Sequence, residues 1–313
     1  MNKDDKIYIA GLHGMVGSAI ARALRAEGFT RIYGHKSRDL DLRDAGKVTA
    51  CFQKLRPDYV FLAAARVGGI YANNTYPGDF IHSNLCIQTN VIHAASQANV
   101  RRLLFLGSSC IYPRDAKQPM KEEALLTGPL EKTNEPYAIA KIAGIKMCEA
   151  YNRQYKTDFI TCMPTNLYGP FDNYDLENAH VLPALLRKVH EAKVKKAKNF
   201  TVWGSGSPKR EFLYVDDLAN ACLFLMENYK GEGPINIGSG EEVPIKNLVY
   251  MIQNTVGFRG DMVFDATKPD GTPRKLLDSS RIREMGWRPK YSLGYGLDKT
   301  YEAYVRGEAR GLF

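Results

Sequence analysis

Tyr137 and Lys141 stand four residues apart in the run Glu135-Pro136-Tyr137-Ala138-Ile139-Ala140-Lys141. A helix puts i and i+4 on one face, which sets an ammonium beside a phenol. A nearby positive charge favours phenolate, so the expectation is a Tyr137 drawn towards neutrality and able to give or take a proton near pH 7. Upstream, Phe105-Leu106-Gly107-Ser108-Ser109-Cys110 offers the Ser108 hydroxyl to the same carbonyl oxygen, with Ser109 as its rival. Amphipathic helices produce Tyr-x-x-x-Lys by chance, so the spacing gains meaning only from a ligand site elsewhere in the chain. Cys110 and His180 are of types that titrate, or can be tuned to titrate, near neutrality. Read alone, Cys110 is more often a small buried residue, and His180 more often a structural or surface histidine or a cap for the helix that follows it.

A second signal is Gly11-Leu12-His13-Gly14-Met15-Val16-Gly17, which follows a β-prone run at 7–10 and opens a helical pattern at 18–26. Glycines here permit a tight turn and close approach of backbone to a pyrophosphate at the helix N-terminus. The spacing is G-x-x-G-x-x-G, not G-x-G-x-x-G. After the second strand, His35-Lys36-Ser37-Arg38-Asp39 places Lys36 and Arg38 where a 2′-phosphate would need cations, with Asp39 and Asp41 as nearby acids. These point to NADP(H). Ala63-Ala64-Ala65 supplies small side chains where a bulky one would strike an adenosine.

The elements that must position these groups alternate. Strands are expected at 7–10, 31–34, 58–63, 102–107, 159–164 and 235–238, and helices at 18–26, 44–55, 79–97, 135–153 and 212–227. That order predicts an α/β fold, a Rossmann-type doubly wound parallel sheet with ligands at the carboxyl ends of its strands. After residue 168 the alternation gives way to Gly/Pro/Asn-rich loops. A smaller, sequence-interleaved α/β substrate lobe is therefore expected, with 1–168 and 212–239 in the nucleotide-binding domain and 169–211 and 240–313 in the substrate-binding domain. Helices 79–97 and 135–153 carry apolar residues on more than one face, which suggests a homodimer.

The 313 residues are 44% hydrophobic and 25% charged, ordinary values for a globular protein. The net charge of +9 suits an anionic substrate. No basic arm or RNA-binding aromatic motif accompanies it, so no nucleic acid is expected. The run Lys193-Val194-Lys195-Lys196-Ala197-Lys198 reads as a solvated helix end. Six scattered cysteines show no zinc spacing and suggest reduced thiols. With no long apolar run and no leader-like N-terminus, the expectation is a cytoplasmic protein that uses neither membrane nor metal.

Taken in order, Gly11-x-x-Gly14-x-x-Gly17, Ser108, Tyr137 and Lys141 resemble the extended short-chain dehydrogenase/reductase family. Several stretches resemble its GDP-L-fucose synthase branch: Arg66 to Asn74, Gly107 to Pro113, Pro164 to Pro170, Val202 to Gly206, Arg210 to Phe212 and Lys268 to Lys275. The resemblance spans essentially the whole chain. It implies an NADPH-dependent, usually dimeric 3,5-epimerase-4-reductase acting on a GDP-linked 4-keto-6-deoxy sugar. It also implies that Cys110 and His180 exchange protons at C3 and C5, that Tyr137 and Ser108 serve the reduced carbonyl, and that Lys141 holds the nicotinamide ribose. Cofactor contacts so implied comprise Gly11, His13, Gly14, Met15, Val16, Gly17, Lys36, Arg38, Asp41, Ala64, Ala65, Lys141, Pro164, Asn166, Leu167 and His180. Substrate contacts comprise Lys188, Trp203, Arg210, Asp270 and Arg274. Members often have arginine at position 13 and some at 188, where this chain has His13 and Lys188. Two rivals stand beside this reading: an enzyme for a colitose or deoxyheptose precursor, and a non-catalytic NADPH-binding protein.

Overall fold

A computed structural model describes residues 1–267 and 270–311; Lys268 and Pro269, the start of one of the resembling stretches, lie outside the described residues. Six strands form the main sheet: β1 (Ile7–Ala10), β2 (Ile32–Tyr33), β3 (Tyr59–Leu62), β4 (Arg102–Leu106), β5 (Phe159–Pro164) and, after three strands outside the sheet, β9 (Pro234–Ile237). Their order is β2-β1-β3-β4-β5-β9, and every pairing is parallel. β1, β4 and β5 are almost wholly buried along their length, as expected of strands covered on both faces. The order reverses between β1 and β3, which opens a crevice at the carboxyl ends of these strands.

Helices α1 (Met15–Ala26) and α7 (Val215–Asn228) cover one face, with Ile20, Leu24, Leu218 and Leu225 in its core. Helices α2 (Ala45–Leu55), α4 (Pro77–Gln97) and α5 (Glu135–Tyr155) cover the other, with Phe52, Ile92 and Ile145 buried beneath them. The short helix α3 (Ile70–Thr75) leads into α4.

A third apolar cluster is built by α6 (Val181–Val194), α8 (Ile245–Val256) and α10 (Leu293–Val305), around Leu186, Val189, Leu248, Ile252 and Leu297. It packs on β7 (Asn199–Trp203) and on β8 (Lys209–Tyr214). β8 pairs with β6 (Asn166–Tyr168), β10 (Glu242–Pro244) and β12 (Arg274–Lys275), whereas β7 pairs with β11 (Asp261–Asp265). The short helix α9 (Ser280–Glu284) lies between β12 and α10.

One expected helix is partly a strand. Residues 212–214 belong to β8 and pair with Asn166–Tyr168; the helix begins only at Val215, with Asp216 and Asp217 in its first turn. Phe212, Leu213 and Tyr214 are bulky and buried, which favours a pleated surface, and acidic residues favour a helix start. The domain boundary expected at 211/212 therefore falls inside β8.

Gly17 lets α1 lie against the turn that precedes it. A Cβ there would come 2.1 Å from the Gly11 carbonyl oxygen, and both parties are backbone. We expect Gly17→Ala to cost about 1–3 kcal/mol, seen as a lower urea midpoint with an unchanged m-value.

Candidate active site

The site begins where β4 ends. Gly107 N–H continues the ladder to the Cys162 carbonyl at 2.8 Å, and Ser108 then turns the chain into a single 3₁₀ turn, Ser109–Ile111. Cys110 N–H donates to Ser108 Oγ at 3.3 Å. The segment is fixed from below by a buried polar knot. Tyr112 Oη donates to Asn236 Oδ1 at 2.6 Å, while Asn236 Nδ2 donates to the carbonyls of Met120 and Asp278 at 2.9 and 3.0 Å. Buried amides satisfied in this way resist displacement.

Helix α5 brings Tyr137 and Lys141 to the same place. Gly144 permits the approach, since a Cβ there would strike the Phe105 ring at 2.6 Å. Lys141 is 3% exposed, and its Nζ donates to the Leu106 carbonyl at 2.8 Å. The same ammonium lies 4.8 Å from the Phe105 ring centroid and 5.8 Å from that of Tyr137. Burial lowers the Lys141 pKa to about 8. Phe80 meets the Tyr137 ring edge-on at 6.5 Å.

The expectation that Lys141 draws Tyr137 towards neutrality is corrected by this geometry. Burial, and then the negative charge on Cys110, push the Tyr137 pKa up, with only a hydrogen bond from Ser108 opposing them. Helical spacing put the two side chains on one face, but the ammonium is spent on the Leu106 carbonyl.

Cys110 has an unexpected partner. Lys275 Nζ donates to its Sγ at 3.2 Å. Burial raises the thiol pKa, but the Lys275 charge and hydrogen bonds with Ser108 and Lys275 outweigh it, and the net shift is downward. His180 is the N-cap residue of α6 and makes no side-chain capping bond, so its imidazole is not spent on the helix. It is reachable by solvent yet crowded by protein, and that crowding, followed by the Lys275 charge, lowers its pKa. The backbone just before it is held by Gly69 N–H, which donates to the Asn178 carbonyl at 2.8 Å.

On the nucleotide side, Gly14 caps α1 without a side-chain bond, and no acidic residue stands in the first turn. The N-terminus therefore offers uncapped N–H groups and a favourable dipole to an anion. Met15 and Val16 pack on the core beneath α1. Ala64 lies against Gly11, and Ala65 is half-buried beside it. His13, Lys36 and Arg38 are exposed; Arg38 is 3.6 Å from Asp39. Asp41 is engaged by Arg43, whose Nη2 lies 2.7 Å from Oδ2, and that pairing lowers the Asp41 pKa to about 2. Pro164 closes β5, Asn166 Nδ2 donates to the Glu211 carbonyl at 2.7 Å, and Leu167 packs on the core.

Four of the five expected substrate residues surround one region. Lys188 Nζ lies 4.4 Å from the Trp203 ring centroid, a cation–π contact, and burial lowers its pKa. Arg210 is half-buried against Gly271 and feels both Asp270 and Cys110. Asp270 accepts from Ser205 N and Oγ at 2.9 and 2.6 Å, tying two loops together. Arg274 is placed elsewhere: its Nε donates to Glu242 at 2.7 Å. Side chains alternate along a strand, so the neighbour Lys275 faces Cys110 instead. Lys275 is the cation at Cys110 that reading the sequence missed, although it closes a stretch already singled out. Among the described residues, no cluster of His, Cys, Asp and Glu could hold a metal ion, and no helix is long and apolar enough to cross a membrane.

Comparison with known proteins gives the family of the chain. The model of the NAD dependent epimerase/dehydratase family matches residues 7–238. A putative GDP-L-fucose synthase 2 of Arabidopsis thaliana is 59% identical over 305 residues, covering 97% of this chain and 93% of its own. The GDP-L-fucose synthase of Escherichia coli K12 is 53% identical over 314 residues, covering 97% and 98%. A solved GDP-L-fucose synthetase from Naegleria fowleri bound to NADP is 31% identical, with a TM-score of 0.91 over 98% of this chain and 94% of that one. The chain belongs to the NAD dependent epimerase/dehydratase family.

The buried Lys141 makes stability depend on pH. Its pKa falls from 10.5 unfolded to about 8 folded, so between these values the unfolded chain binds more protons and stability rises with pH. Below pH 8 the full penalty, roughly 3 kcal/mol, is present. Lys141→Met should therefore flatten the wild-type rise in urea-unfolding free energy between pH 8 and 10.5. Equal slopes in the two proteins would show that the ammonium is not desolvated.

Proposed function

We propose that this protein is an NADPH-dependent bifunctional enzyme that epimerises GDP-4-keto-6-deoxy-D-mannose at C3 and C5 and reduces C4, giving GDP-L-fucose. The observation that carries the reading is the meeting of Ser108, Cys110, Tyr137 and Lys141 at the end of β4, in a chain 53–59% identical to GDP-L-fucose synthases over nearly its full length.

The residues fit the cofactor. Gly14 places no side chain over the N-terminus of α1, which is uncapped, and Lys36 and Arg38 stand exposed beyond β2 to receive a 2′-phosphate. When bound, NADPH supplies the hydride for C4. The protein's own part is proton management. A C4 ketone acidifies the hydrogens on C3 and C5, and inversion at each carbon needs a proton removed from one face and returned to the other. Cys110 and His180 serve as that pair. Ser108 hydrogen-bonds the ketone oxygen, and Tyr137 protonates it as reduction completes. A high Tyr137 pKa keeps the phenol protonated at neutral pH, which is the form a donor requires. Lys141 positions α5 against the sheet and offers its remaining N–H groups to the nicotinamide ribose. Lys188 and Arg210 pair with the diphosphate, with Trp203 as a wall for guanine.

The same reading includes a cytoplasmic homodimer joined through α4 and α5, where Ile139 is 41% exposed. It keeps the division into 1–168 with 212–239 and 169–211 with 240–313, save that β8 (Lys209–Tyr214) straddles the 211/212 boundary. A monomer in light scattering at micromolar concentration would remove the dimer from it.

The test is to mix the protein with NADPH and GDP-4-keto-6-deoxy-D-mannose, follow nicotinamide absorbance, and identify the product by NMR. Cys110→Ser should slow deuterium exchange from D2O at C3 and C5 by about 100-fold or more and still bind NADPH. Tyr137→Phe should stop NADPH oxidation while exchange persists. Bound NADPH that is never oxidised with this sugar would refute the substrate and direct attention to another GDP-4-keto sugar.

A further inference from the structure

We propose that Lys275 is a positioning residue of the epimerisation, holding Cys110 in its anionic form from the far side of the cleft. The proposal rests on the function given above. Its first support is direct contact: Lys275 Nζ lies 3.2 Å from Cys110 Sγ, across 165 residues of sequence.

The second support is the way β12 is aimed. β12 pairs in parallel with β8, Arg274 opposite Lys209 and Lys275 opposite Arg210. Arg274 and Lys209 share Glu242 on one face, at 2.7 and 3.5 Å. Lys275 and Arg210 are left on the other face, and both act on Cys110. A pair that put Arg274 towards the thiol would reverse every one of these contacts.

Third, the backbone that carries Lys275 is fixed on both sides. Before it, Lys209 N–H donates to the Pro273 carbonyl at 2.9 Å. After it, Leu276 N–H donates to Gln118 Oε1 at 2.9 Å, and Leu277 N–H to the buried Glu211 carboxylate at 3.1 Å. Met120 N–H closes on the Leu276 carbonyl at 2.8 Å. A lysine stem is long and mobile, so a rigid base for it reduces the entropy lost in holding one contact.

The charged and titratable groups facing Cys110 are Lys275 and Arg210 as cations, Glu131 as the opposing acid, and the Tyr137 and Ser108 hydroxyls. Burial and Glu131 favour the neutral thiol. Lys275 is the cation in contact, so removing it leaves the opposing influences in control. Lys275 is held by the Cys110 sulfur whereas Lys141 is held by the Leu106 carbonyl, which separates its role from the reductive half of the chemistry.

The test titrates Cys110 by pH-dependent alkylation with iodoacetamide, using Cys110→Ser to subtract the other cysteines. In Lys275→Met the apparent pKa should rise by about one unit or more, leaving roughly a tenth of the thiolate at neutral pH. Lys275→Arg should restore most of it. The pH profile of C3 and C5 deuterium exchange should move upward by the same amount. Lys275→Gln gives a second neutral variant if the methionine variant folds poorly. An unchanged Cys110 titration in either folded neutral variant overturns the proposal. Alkylation needs no sugar, so a Lys275-dependent titration in a wild-type protein that exchanges no deuterium sustains the ion pair and refutes the substrate reading instead.

Discussion

The ammonium of Lys141 on the carbonyl of Leu106 is the constraint from which the site follows. A buried charge is costly unless it is hydrogen-bonded, and this one finds its acceptor on the last residue of β4. That single bond ties the middle of α5 to the strand end from which Ser108 and Cys110 depart. It also fixes the helix rotation, since Ala138, Ala140 and Ile142 are buried while Ile139 faces outward. Tyr137, one turn earlier, is thereby delivered to Ser108. A neutral residue at 141 would pack the helix more cheaply, but would leave the rotation to nonspecific apolar contact.

The cations of the cleft share a pattern. Lys141 is satisfied by a carbonyl, Lys188 by the Trp203 ring, and Lys275 by a sulfur. Carboxylate partners are instead concentrated on the outer surface, as in Arg43 with Asp41, Arg101 with Asp5, and Arg306 with Glu308. One cleft carboxylate, Asp270 beside Arg210, is itself tied to Ser205 by two hydrogen bonds. Rings, carbonyls and thiols stabilise a cation while leaving its field available to an incoming anion. The overall charge of +9 matters less than this choice of partners.

Much of the scaffold was legible in the sequence, and the exceptions have definite causes. All six strands of the main sheet were expected because short apolar runs such as Ile7–Ala10 and Phe159–Pro164 were bounded by turn residues. Phe212–Tyr214 was read as helix because its apolar residues run without a break into Val215 and the true helix. Helical spacing placed Tyr137 and Lys141 on one face correctly, yet carried no information about a backbone acceptor on another strand. Arg274 was expected among the substrate contacts from the resemblance, and Lys275 was given no role. Only the register of β12 against β8 decides which of two adjacent cations turns inward, and a two-residue strand leaves no periodicity to read.

The two chemistries at the site differ in what assembles them. Tyr137, Ser108 and Lys141 come from β4 and α5, which share one core, so their geometry is intrinsic to the sheet. Cys110 sits on the same loop, but its cation comes from β12, a strand paired to β8, and His180 opens α6 in the third apolar cluster. Lys275 therefore links the two sides, since it contacts Cys110 and its charge also reaches His180. Residues 118–120 and Leu277 stitch that seam through backbone and side-chain bonds. Any motion that opened it would separate Lys275 from Cys110 while leaving Lys141 on Leu106. Proton removal at C3 and C5 is thus the step most exposed to the fit between the two halves, and hydride acceptance the step least exposed. Under the proposed function, a ketone that is epimerised before it is reduced would be well served by this order of dependence.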